Sequence, residues 1–82
     1  MRIRMQELGT RNICGARISE RRKEINMKQV DLLRKLQEKG LDFNASGLSK
    51  LEGQIRNIND YELIAISEIL GVSVNWLLGI EE

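Results

Sequence analysis

The chain is expected to be all-α, a single domain of five short helices. Three observations predict it: no proline interrupts its 82 residues, apolar residues recur mostly at helical spacing, and asparagine, serine or glycine stands at the edges of the periodic stretches. With only one Phe, one Trp and one Tyr, the core must be aliphatic. At this length it must also be efficiently packed.

A first helix is read over about residues 12–25. Cys14, Ile18, Ile25 and the stem of Arg22 face inward, while Arg17, Arg21 and Lys23 reach solvent. Asn26 suits its end, because asparagine tolerates the left-handed conformation. A second helix over 28–39 buries Leu32, Leu33 and Leu36, and Gly40 stops it. Leu41 and Phe43 then tuck the connection back into the core. Asn44 is a good N-cap for a third helix over residues 45–52 with Leu48 and Leu51 inside. Gly47 lies within that helix and should cost up to about 1 kcal/mol relative to alanine.

Asn59 opens a fourth helix, with Glu62 three residues on as in a capping box. Leu63, Ile64, Ile66, Ile69 and Leu70 make it the most apolar of the five, and Gly71 closes it. Ser73 caps a last short helix holding Val74, Trp76, Leu77 and Leu78, ended by Gly79. Residues 1–11 form an N-terminal arm and 12–80 the domain.

Composition removes several function classes. One cysteine, Cys14, and no histidine leave neither a disulfide framework nor an ordinary zinc site within one chain. Cys14 reads as a small buried hydrophobe. No apolar run approaches the roughly 18 residues of a membrane span, so a cytoplasmic protein is expected. Catalysis finds no support, since there is no histidine, no nucleophile with an identifiable base and no phosphate-cradling glycine loop. No metal, cofactor or small-molecule ligand is expected.

Charge is informative only when divided along the chain. Residues 1–56 hold all 13 Lys and Arg against 7 acids, a net of +6; residues 57–82 hold no base and 5 acids. A basic front half suits a polyanion. The paired helices over about 28–52 have the shape of a unit that presents its second helix to a DNA groove.

Several segments carry a family resemblance. Gly15-Ala16-Arg17-Ile18, Arg22, Met27-Lys28-Gln29-Val30-Asp31-Leu32, Leu48-Ser49-Lys50-Leu51-Glu52 and Leu70-Gly71-Val72-Ser73-Val74-Asn75-Trp76-Leu77-Leu78-Gly79 resemble, in order, the helix-turn-helix domains of lambdoid phage repressors, Cro proteins and Xre-type bacterial regulators. The resemblance implies a five-helix lambda-repressor-like fold whose third helix lies in the major groove of double-stranded DNA. It implies a transcriptional regulator, a repressor, acting as a homodimer.

By the same resemblance Gln29 and Lys28 clamp phosphate, and Ala45, Ser46, Ser49 and Lys50 face the bases. Asn44 can cap the helix and touch phosphate, and Arg56 lies along the backbone. Lysine can donate to guanine, serine to almost any base edge, and alanine can only pack on a thymine methyl. Arg22 and Glu52 match an ion pair joining the first and third helices. Arg2, Arg4 and Arg11 of the arm could enter a minor groove or bind phosphate. Trp76 is expected to pack into its own domain, and Leu77, Leu78 and Ile80 to offer a dimer surface.

Ala45 and Gly47 depart from the family, where a long polar side chain and a non-glycine residue are usual. They keep a second reading open: a helix-turn-helix scaffold used as a protein-protein interaction module.

Overall fold

Why the first helix begins where it does is decided by one buried amide. In the structure, a computed structural model that describes residues 11–80, Asn12 Oδ1 accepts the backbone N–H groups of Cys14 and Gly15. Helix α1 therefore spans Gly15–Glu24, and Asn12 stands before it rather than inside it. The Asn12 amide also donates to the carbonyls of Leu51 at 3.1 Å and Arg56 at 2.7 Å, which ties the approach to α1 to a distant part of the chain. Ile18 and Arg22 face inward. Ile25, expected inside, lies past the last helical turn and is 36% exposed. Asn26 takes the left-handed conformation, φ 59°.

Helix α2, Gln29–Glu38, buries Leu32 and Leu36 completely, with Leu33 half-buried against the same core. Gly40, at φ 90°, turns the chain at a backbone angle that a Cβ would strain. Phe43 is buried and Leu41 packs beside it, so the link over 39–44 folds back onto the core. Helix α3, Ala45–Glu52, buries Leu48 and Leu51.

Helix α4, Asp60–Leu70, opens with Glu62 accepting the Asn59 backbone N–H at 2.9 Å. It sinks Leu63, Ala65, Ile66 and Leu70 into the core. Ile64, which adds to the apolar character of this helix, falls on the opposite side and is 52% exposed. Helix α5, Val74–Leu78, is capped by the Ser73 hydroxyl, which accepts the Trp76 N–H. These five helices enclose one aliphatic core to which all of them contribute. No helix among the described residues is long and apolar enough to cross a membrane.

Two arginines of α1 behave differently from the sequence expectation. Arg17 and Arg21 are half-buried rather than solvated. The Arg21 Nε–H donates to the Leu70 carbonyl at 3.0 Å, at the C-terminal end of α4 where carbonyls lack helical partners. Arg17 donates to the Trp76 carbonyl, and its guanidinium lies 4.1 Å from the centroid of the Trp76 ring. A cation there meets both the ring face and the negative end of a short helix. Trp76 thus packs within the domain.

Candidate nucleic-acid interface

Helix α3 is amphipathic in a way that fixes what it shows to solvent. Leu48 and Leu51 anchor one side in the core, so Ala45, Ser46, Ser49 and Lys50, at i, i+1, i+4 and i+5, share the outer side. All four are exposed. Asn44 Oδ1 accepts the Gly47 N–H at 2.7 Å, which satisfies one of the free donors of the first turn. A Cβ on Gly47 would sit 3.1 Å from that same oxygen. A Cβ there would crowd the cap, which would have to give by a few tenths of an ångström to admit it.

The start of α2 lies beside the end of α3, where side chains of α1, α2 and α3 converge. Arg22 Nε donates to Glu52 Oε2 and Arg22 Nη2 to Glu52 Oε1, both at 2.9 Å, and Arg22 Nη1 donates to the Met27 carbonyl. Glu52 Oε1 also accepts the Gln29 Nε2–H at 3.1 Å. Arg22 and Glu52 are buried, whereas Gln29 is half-exposed. Helices α1, α2 and α3 meet at a single carboxylate.

Other charges modify the picture. Lys28 is exposed, and its backbone N–H donates to Asp31 Oδ2 at 3.1 Å. That backbone hydrogen bond, more than the nearby Arg34, holds the Asp31 carboxyl below its ordinary range. An acid at the first turn suits the α2 dipole but opposes an approaching phosphate.

Arg56, expected along the DNA backbone, is committed elsewhere. Its Nη1 and Nη2 each donate to Glu62 at 3.0 Å, Nη1 also reaches the Asn57 carbonyl, and the guanidinium lies 4.7 Å from the centroid of the Phe43 ring. Its positive charge is already matched inside the fold, so it anchors the loop between α3 and α4. Sequence reasoning missed this role, which only the six-residue spacing to Glu62 hinted at.

The hydrogen bonds to Glu62 push the Arg56 pKa up, against the opposing effect of burial. For Glu62, burial works to raise the pKa, but the Arg56 hydrogen bonds and the Asn59 N–H together outweigh it and leave it lowered. A carboxyl with a depressed folded pKa adds stability that is present above its unfolded value and lost as pH falls through the folded one. Wild type is thus expected to exceed Glu62→Gln in melting temperature near pH 7, with the gap closing below about pH 4. Parallel thermal melts across pH measure it.

The remaining expected sites divide. Leu77 is 0% exposed and belongs to the core, so it is removed from the dimer surface: its side chain has no area left for a partner. Leu78 is half-buried and Ile80 is 70% exposed. Arg11 is exposed, with its N–H on the Gln54 carbonyl at 2.9 Å, while Arg2 and Arg4 lie outside the described residues. Cys14 is buried, and that burial pushes its thiol pKa up, partly offset by Arg17. Among the described residues no cluster of His, Cys, Asp and Glu has the makings of a metal site.

No family model, curated protein or solved structure matches the chain. Its own residues and geometry carry the functional argument.

Proposed function

We propose that the chain is a DNA-binding transcriptional regulator, a repressor, that lays α3 in the major groove. The observation that carries this reading is the outer side of α3: Ala45, Ser46, Ser49 and Lys50 all face solvent on a helix whose other side is locked into the core. Small side chains let such a helix sit deep. Lys50 is the reader with the strongest chemistry, able to donate to guanine O6 and N7, and Ala45 can meet a thymine methyl.

Lys28, Gln29 and the Asn44 amide stand where phosphates would pass and position the helix without reading sequence. A homodimer with half-sites about one turn of duplex apart fits the size of such a unit, and Leu78 and Ile80 are its candidate contacts.

A second reading has its own support. The reading side lacks a glutamine, asparagine or arginine, and Arg56 is paired internally. Both favour an interaction module with an eroded DNA surface. Salt separates the two, because each phosphate neutralised on a duplex adds about −0.9 to the slope of log affinity against log salt.

The expected result is a slope of about −2 or steeper, since the Lys28 of each subunit in a dimer neutralises one phosphate. Lys50→Ala should weaken binding by about 1 to 3 kcal/mol and relax preference at one base pair. Absence of duplex binding at low salt would leave the interaction module.

A further inference from the structure

The Gln29 amide is turned by its neighbour. A carboxylate can only accept hydrogen bonds, so the side of the Gln29 amide that meets Glu52 Oε1 must be its NH2, and the contact is 3.1 Å. Glu52 cannot rotate away, because two N–H groups of the buried Arg22 hold both of its oxygens. The same guanidinium offsets the negative charge that would otherwise repel a phosphate at this spot.

A glutamine free to spin would present its oxygen to a phosphate as readily as its nitrogen, and ordering it on binding would carry an entropic cost. Here one N–H is anchored and the second N–H of the same nitrogen remains to donate.

We propose that Glu52 is a positioning residue for DNA binding: held by Arg22, it orients the Gln29 amide as a preset, sequence-independent phosphate donor. This rests on the DNA-binding reading. It assigns to the Arg22–Glu52 pair a part in affinity that is separate from its part in holding three helices together.

A double-mutant cycle isolates that part. Its backgrounds are wild type and Arg22→Met/Glu52→Leu, in which an apolar pair of similar bulk replaces the ions and preserves the fold. The probe is a short random-sequence duplex at low salt, since a phosphate clamp acts on any sequence. Thermal melts check that both backgrounds are folded.

Gln29→Ala is expected to weaken duplex binding about tenfold in wild type, the worth of a hydrogen bond to a charged group. In the apolar background the same change should cost less than about threefold. Equal losses in both backgrounds, or no loss in wild type, would overturn the proposal while leaving DNA binding intact. A wild-type protein that binds no duplex would instead overturn the functional reading.

Should the apolar pair not fold, the wild-type side-chain amide decides by NMR. A high order parameter for the Gln29 Nε2 group, with slow exchange of its protons, supports the proposal, and an order parameter typical of a flexible side chain defeats it.

Discussion

Arg22→Ala is expected to remove about 3 to 5 kcal/mol of folding stability, because it strands the Glu52 carboxylate in the core without its partner. The side chains are only 10% and 6% exposed, with Arg22 Nε and Glu52 Oε2 2.9 Å apart, so water cannot replace what is lost. Glu52→Ala should cost a similar amount for the mirror-image reason, and the Met27 carbonyl keeps only part of the orphaned guanidinium satisfied. For a small domain of this size each kcal/mol shifts the melting temperature by roughly 4 to 8 °C. Either single change is therefore expected to lower it by roughly 12 to 40 °C.

The Arg22→Met/Glu52→Leu pair should fall close to wild type, since two apolar side chains of similar volume avoid the desolvation penalty altogether. Thermal melts of the three variants check the pattern. Single variants as stable as wild type would mean that the bridge adds nothing to the fold.

Gly15→Ala is expected to cost about 3 kcal/mol, at the high end for an added methyl group. A Cβ on Gly15 would overlap the Leu51 carbonyl oxygen and approach the Glu52 carbonyl oxygen and Gln54 Cγ to 2.9 Å each. Two of these three obstacles are backbone, which cannot rotate aside. The start of α1 must then move off the end of α3, straining the Asn12 hydrogen bonds to Leu51 and Arg56.

Gln54 already holds a left-handed backbone at φ 63°, steadied by its Nε2–H on the Asn12 carbonyl at 2.7 Å, so little slack remains there. Chemical denaturation is the suitable measurement, with a lower midpoint at an unchanged slope as the expected outcome. A wild-type midpoint for Gly15→Ala would show that the two helices are not in contact as described.

The parts of this molecule that were legible in the sequence are those with a local cause. Asn44 followed by Leu48 and Leu51 marks α3, and Asn59 with Glu62 marks the start of α4, because cap and first turn are written within a few residues of each other. Distance defeats this logic. Arg21 and Arg17 donate to carbonyls 49 and 59 positions away, and nothing in the periodicity of α1 distinguishes an arginine that closes another helix from one in water. Arg56, expected along the DNA backbone, is hidden by a different cause: its partner Glu62 is only six residues on, but the irregular backbone between them has no fixed spacing that would mark a pair.

Short elements fail differently. A five-residue helix such as α5 has too few turns to establish a stripe, so Leu77 and Leu78 look alike until the core is seen to swallow the first. Ile25 is apolar at a helical spacing from Ile18, yet it is the residue that ends α1, so the periodicity no longer fixes which way it faces. At the candidate interface, exposure of the α3 side chains followed from the inward Leu48 and Leu51. The Gln29 contact with Glu52 did not, since it depends on how α2 and α3 cross.

For the proposed reading of DNA by α3, selection of bound sequences from a random duplex pool is the decisive measurement. The expected result is enrichment of a pseudo-palindromic motif with half-sites spaced by about one helical turn, and loss of preference at one position per half-site for Lys50→Ala. A pool that returns no enriched sequence and shows no retained duplex at low salt would contradict it.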